Sequence, residues 1–291
     1  MDIRTVGVIG AGQMGSGIAQ VFAEAGFAVV LSDVSEDALA AARDRIARNL
    51  ARQEAKGRID AEALAATLDR IATTAEVTAA AATDLVIEAA TEREAVKDQI
   101  FASLQPHLLA HTLLTTNSSS LPITRMASRT DRPERFMGLH FMNPVPVMKL
   151  VELIRGLQTS DATYRTMLEV VERIGKTAAS AADAPAFIVN RILVPMINEA
   201  VYALYEGVGN VRAIDTSMKL GANHPMGPLE LADFIGLDTC LAIMNVLHSE
   251  LGDTKYRPCP LLGKYVEAGW LGRKTGRGFY DYAGDTPVPT R

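Results

Sequence analysis

Cysteine is scarce in this chain. Cys240 and Cys259 are the only thiols among 291 residues, too few for a disulfide framework. Cys240 sits in an apolar helical pattern, where a buried free thiol is the plain expectation. A basic excess is missing as well. Lys and Arg total 29 against 34 Asp and Glu, a formal charge of -5. That argues against a general nucleic-acid binder, while leaving room for a phosphorylated ligand on a local basic patch. No apolar run approaches the roughly 18 residues of a membrane-spanning helix. Met1-Asp2-Ile3-Arg4 leads straight into Val6-Gly7-Val8-Ile9-Gly10, with no basic segment, apolar stretch and small-residue cleavage site in succession. No secretory signal is therefore expected, and a cytoplasmic location is. Internal repeats and low-complexity segments are also lacking.

What the chain does have is an ordinary globular balance, 48% hydrophobic and 22% charged, and length for one large domain or two ordinary ones. Its first half alternates apolar runs with amphipathic stretches. Residues 5–9, 28–32, 84–89, 113–116, 136–140 and 149–154 read as strands; 14–25, 35–55 and 61–71 read as helices. This alternation predicts an α/β fold, a doubly wound, mostly parallel sheet with helical crossovers. Beyond about residue 182 the pattern becomes helical throughout, over 186–206, 212–220, 229–250 and 261–268. Pro195 is expected to kink the first of these helices. Asp183-Ala184-Pro185 marks the boundary between a domain 1–183 and a smaller all-α domain 184–291. The tail from Gly284 is expected to fray.

Gly10, Gly12 and Gly15 form G-x-G-x-x-G between the first strand and the first helix. In that setting the glycines permit a tight turn, close approach of a pyrophosphate and close helix–strand packing. The helix start adds unpaired N–H groups and positive dipole. Asp33 ends the second strand, placed to accept the hydroxyls of an adenosine ribose and to repel an extra phosphate there. No Lys or Arg follows until Arg43. The expected cofactor is NAD rather than NADP, on a Rossmann-type domain, with Gly10, Gly12, Gln13, Met14, Gly15 and Asp33 as contacts.

Further motifs follow in order: Asn117-Ser118-Ser119-Ser120, His140-Phe141-Met142-Asn143-Pro144, Val151-Glu152, Phe187-Ile188-Val189-Asn190-Arg191, His224-Pro225-Met226-Gly227-Pro228-Leu229 and Gly276-Arg277-Gly278-Phe279-Tyr280. With the glycine turn, these residues resemble the L-3-hydroxyacyl-CoA dehydrogenase family, and within it the short-chain 3-hydroxybutyryl-CoA type, over nearly the whole chain. The resemblance implies NAD-dependent interconversion of (3S)-3-hydroxyacyl-CoA and 3-ketoacyl-CoA. It makes His140 the general acid/base, suited as a residue type that changes charge near neutral pH, and Glu152 its partner carboxylate. It assigns Ser119 and Asn190 to substrate oxygens, and Glu92, Lys97, Ser119 and Asn143 to the nicotinamide-ribose side of the cofactor. Taken alone, a histidine in an apolar strand is commonly a satisfied core residue. A glutamate in the strand 149–154 is odder, because a buried carboxylate is costly unless paired, and a pair accounts for both.

Arg45, Arg48, Arg52 and Lys56 recur at helical spacing on the helix after Asp33. The spacing suits a stripe that steers the phosphates of coenzyme A, and equally a solvated face with an Asp44–Arg48 pair. The resemblance selects Arg52 and Lys56 as substrate contacts, with Asn49 where some relatives carry serine. His107 and His111 lack the glutamate of a zinc helix, and no metal is expected. The family further implies a homodimer through the helical domain. Two other readings stay open on the sequence alone: a dehydrogenase of a beta-hydroxy acid or sugar acid without coenzyme A, and a catalytically silent NAD-binding protein.

Overall fold

Strand β1 (Thr5–Ile9) is apolar and almost wholly buried, as a central strand covered on both faces must be. In the computed structural model, which describes residues 1–291, two units separate, Met1–Ala184 and Pro185–Arg291. The first runs β1, α1 (Gln13–Glu24), β2 (Ala28–Ser32), α2 (Glu36–Glu54), α3 (Ala61–Asp69), β3 (Ile71–Thr74), β4 (Leu85–Glu88), α4 (Glu94–Leu104), β5 (Leu113–Thr116), α5 (Ile123–Ala127), β6 (Phe136–Phe141), β7 (Leu150–Arg155), α6 (Asp161–Arg173) and β8 (Thr177–Ala182). The sheet order is β3-β2-β1-β4-β5-β6-β7-β8. Its first six strands follow the 3-2-1-4-5-6 order of a doubly wound nucleotide fold, so the α/β expectation holds.

Two local readings are corrected and one gap is filled. The segment 61–71 is not helical to its end, because Ile71 opens β3, which pairs with β2 at Val29. β6 and β7 run antiparallel, pairing His140 with Glu152, where alternation alone points to parallel strands. Helices α4 and α6 and the edge strand β8 lie in stretches the alternation leaves unassigned. Helix starts follow local chemistry: Ser35, Asp60 and Ser160 accept from Ala38, Ala63 and Thr163 N–H respectively.

The second unit holds α7 (Val189–Tyr205), α8 (Val211–Gly221), α9 (Pro228–Ile235), α10 (Leu237–Leu251), α11 (Pro260–Glu267) and the short strands β9 (Tyr280–Asp281) and β10 (Val288–Pro289). Ala186 and Phe187 are buried with φ of 63° and 55°, so α7 starts later than periodicity predicts. It then continues through Pro195. The stretch 229–250 is two helices, not one, broken at Gly236, whose φ of 105° no helix accommodates.

Two buried aspartates tie this unit together. Asp215 on α8 accepts from Leu229 N, Glu230 N and the Tyr280 hydroxyl at 2.8, 3.0 and 2.7 Å, clamping the start of α9. Asp233 on α9 accepts from Phe279 N, Tyr280 N and the Tyr282 hydroxyl, each at 2.9 Å. A Cβ on Gly227 would stand 2.2 Å from Asp215 Cγ, and one on Gly278 only 1.9 Å from Asp233 Oδ1. Gly227 and Gly278, one in each C-terminal motif, therefore serve close packing around carboxylates. No single helix of the chain is long and apolar enough to cross a membrane.

Candidate active site

At the carboxyl edge of the parallel strands the chain turns at Gly10 with φ of 105°. A Cβ there would meet the Ala89 carbonyl oxygen at 2.6 Å, and a Cβ on Gly15 would fall 1.7 Å from the Gly10 oxygen. Both positions are closed to side chains by the fold itself. Gly12 differs: nothing lies within 4 Å of its ideal Cβ. The protein's own packing gives no reason for glycine at Gly12, whereas a diphosphate laid against the start of α1 does. This open cradle is the feature by which the site fits a dinucleotide.

Asp33 follows β2 and reaches back to the turn, accepting from Ala11 N at 2.7 Å and from Ser35 N at 3.0 Å. Beside it opens a cavity of about 470 Å³ whose walls include Ile9, Val34, Val77, Arg93, Val96 and Ile100. Those wall residues escape sequence reasoning, since mostly apolar side chains scattered over four segments carry no motif. Gln13 and Asn143, 130 positions apart, meet through a 2.9 Å bond from Nε2 to Oδ1. Met14 is half-buried against the core of the first unit. Gly17 is a further position without a motif signal: its Cβ would stand 2.8 Å from Val145 Cβ, so α1 lies hard against the loop after β6.

β4 ends in Glu88 and the next turn carries Glu92. One oxygen of Glu92 collects the Ser118 hydroxyl at 2.6 Å, Ser119 N at 2.8 Å and Ser120 N at 3.0 Å. Its other oxygen lies 3.7 Å from the buried Lys97 ammonium. Desolvation pushes the Glu92 carboxyl up, but the Lys97 charge and the serine hydrogen bonds outweigh it and leave the group below the ordinary carboxylate range. Ser119 is not a helix cap. α5 begins later, at Ile123, where the carboxylate of Asp183 caps N–H groups of Ile123 and Thr124 at 2.8 and 2.7 Å. Asn117 Oδ1 accepts from Phe141 N at 2.9 Å, tying this loop to the residue after His140.

His140 lies near the end of β6, in register with Glu152 on β7. Directly opposed side chains in an antiparallel pair emerge on the same face, about 5 Å apart at Cβ. Nδ1 of His140 is 2.7 Å from Glu152 Oε2, with side chains 7% and 0% exposed. A carboxylate sealed to this degree persists because it is paired. Its position fixes the imidazole's orientation.

Other expected residues fall elsewhere. Asn190 stands on the first turn of α7 in the second unit. On α2, Arg45 leaves the expected stripe: its guanidinium turns to Ser16 Oγ at 2.8 Å and the Gly12 carbonyl at 3.3 Å. Arg48, Arg52 and Lys56 remain exposed. The ion pairs at three- or four-residue spacing are Lys264–Glu267 and Arg277–Asp281; Asp44–Arg48 is not among them. His111 Nε2 sits 2.9 Å from Asp84 Oδ1.

Residues 5–184 match the NAD binding domain of 3-hydroxyacyl-CoA dehydrogenase and residues 187–282 match its C-terminal domain. A 3-hydroxybutyryl-CoA dehydrogenase of Bradyrhizobium diazoefficiens is 63% identical over 289 residues, covering 99% of both chains. The human mitochondrial hydroxyacyl-coenzyme A dehydrogenase is 44% identical, over 96% of this chain and 91% of that one. The crystal structure of (S)-3-hydroxybutyryl-CoA dehydrogenase from Ralstonia eutropha superposes with a TM-score of 0.94 at 48% identity, over 97% of this chain and 100% of that one. With the glycine cradle, the acidic residue after β2 and the buried histidine–glutamate pair already in place, these matches settle the kinship: the chain belongs to the 3-hydroxyacyl-CoA dehydrogenase family.

Proposed function

We propose that the protein interconverts short (3S)-3-hydroxyacyl-CoA and 3-ketoacyl-CoA with NAD, acting on the 3-hydroxybutyryl-CoA/acetoacetyl-CoA pair. The observation that carries this reading is the 2.7 Å His140–Glu152 contact on the same sheet edge as the glycine turn. NAD held at the glycine turn and Asp33 would supply the hydride acceptor for C3. His140 takes the proton of the 3-hydroxyl as that hydride departs, and returns it to the carbonyl oxygen in reverse. Glu152 holds the ring and stabilises the imidazolium, while Ser119 and Asn190 hydrogen-bond substrate oxygens. Fixed orientation of this kind is worth several kcal/mol, on the order of 7–11 at its best.

Gly10, Gly12, Gln13, Met14, Gly15 and Asp33 are assigned to NAD, with Glu92, Lys97, Ser119 and Asn143 toward the nicotinamide ribose. The unpaired cations Arg52 and Lys56 are assigned to the coenzyme A phosphates. Association as a homodimer through the second unit is part of the same reading. Ile192 and Leu220 there are 67% and 82% exposed, apolar surface that a second copy would cover.

The test is oxidation of NADH by acetoacetyl-CoA, followed by loss of the reduced nicotinamide absorbance, beside NADPH and free acetoacetate. Rapid oxidation with NADH and acetoacetyl-CoA alone is expected. Equal rates with free acetoacetate would favour a dehydrogenase without coenzyme A, and bound NADH with no turnover a silent binding protein.

A further inference from the structure

Glu88 is a fully buried carboxylate that the mechanism above does not use. It ends β4, in register with Ile9 of β1 at the glycine turn. Its two oxygens take the Lys97 ammonium at 2.8 and 2.7 Å, Ala90 N at 2.7 Å and the Thr116 hydroxyl at 2.6 Å. Those donors come from α4, from the turn that abuts Gly10, and from the end of β5. A buried ion pair is a weak stabiliser that apolar residues commonly replace without loss, so stability is a poor account of this one.

The remaining contacts point to placement. Lysine is a point charge on a flexible four-carbon stem, and a two-oxygen grip on its ammonium holds it in one position. The same ammonium lies 3.7 Å from Glu92 Oε2. Glu92 in turn gathers Ser118, Ser119 and Ser120 on its other oxygen. Asn117, one residue before that loop, bonds Phe141 N next to His140. A chain of direct contacts thus runs from Glu88 to the loop carrying Ser119.

We infer that Glu88 is a positioning residue: by fixing Lys97 it sets Glu92, and through Glu92 the loop 118–120 that presents Ser119. The inference rests on the assignment of Lys97, Glu92 and Ser119 to the cofactor, and extends it to a residue that touches neither cofactor nor substrate.

The test is NADH binding to the intact protein by fluorescence titration, in parallel with thermal unfolding and steady-state kinetics, for Glu88→Gln and Glu88→Asp. Glu88→Asp keeps the charge that compensates Lys97 but withdraws it by one methylene, so it stays folded even if Glu88→Gln does not. Displacement on the order of 1 Å costs up to about a hundredfold. The expected result is an NADH dissociation constant raised about tenfold or more in Glu88→Asp, with kcat lowered. A purely structural role predicts a lowered Tm, fewer active molecules and an unaltered NADH dissociation constant, and that pattern overturns the inference. The titration reads the cofactor alone, so its outcome is separate from that of the acyl-CoA assay.

Discussion

His140 and Glu152 oppose each other across the β6–β7 ladder, with Nδ1 and Oε2 2.7 Å apart and the carboxylate sealed from solvent. In the proposed mechanism, neutralising the carboxylate without changing its shape would remove both its hold on the ring and its support for the imidazolium formed in turnover. Glu152→Gln is therefore expected to lower kcat by about 10²–10⁴ with NADH binding retained. Stopped-flow oxidation of NADH checks this, and an unchanged kcat would remove Glu152 from the mechanism.

Gly12 and Gly15 separate cofactor binding from folding. Glycine-to-alanine within a helix ordinarily gains about 0.5–1 kcal/mol. At Gly15 the new Cβ would lie 1.7 Å from the Gly10 oxygen, so Gly15→Ala is expected to lower Tm. Gly12→Ala meets nothing in the protein within 4 Å; it is expected to leave Tm unchanged while weakening NADH binding. Calorimetric unfolding of both variants, beside an NADH titration, reads the contrast. A Tm loss in Gly12→Ala equal to that of Gly15→Ala would contradict it.

How much of this was legible in the sequence follows from the kind of signal each element leaves. Glu152 announces itself as a carboxylate within an apolar strand, and His140 gains meaning from it. Glu88 carries the same oddity at the end of β4, and its partner Lys97 lies nine positions on; weighing every charged residue in an apolar strand would have found it. β8 reads Thr-Ala-Ala-Ser-Ala-Ala, small residues without the branched or aromatic side chains that mark strands, so only its pairing with β7 defines it. The antiparallel turn between β6 and β7 depends on the loop that joins them, which periodicity does not describe. Arg45 belongs to the stripe by spacing but is drawn off by Ser16, a contact made in the tertiary fold.

The exposed cations of α2 lead to a substrate-specific prediction. Reversing charge in an Arg52→Glu/Lys56→Glu variant should raise the KM for acyl-CoA and leave the NADH KM unaltered, with the effect shrinking as salt screens it. Steady-state kinetics at low and high ionic strength decide this; equal changes in both constants would remove these residues from the substrate.

Burial pushes the Asp233 carboxyl up to about 6, helped by the nearby Asp215 charge and opposed by hydrogen bonds from Tyr280, Phe279 and Tyr282. That lies above the roughly 4 of an unfolded aspartate, so the folded chain holds a proton that the unfolded chain releases. The contribution is complete below about pH 4 and is lost as pH rises through about 6. Asp233→Asn cannot ionise. The Tm gap between parent and Asp233→Asn is accordingly expected to narrow between about pH 4.5 and about pH 7.5. Thermal unfolding across that range tests the sign, and a gap that widens with pH would be inconsistent with a raised carboxyl.

The most direct test of the central claim is NADH oxidation by acetoacetyl-CoA in His140→Ala, with NADH binding measured on the same preparation. The account predicts turnover reduced by about 10²–10⁴ and an NADH dissociation constant equal to the parent's. Turnover equal to the parent's would show that the proton at the 3-oxygen moves through some other group.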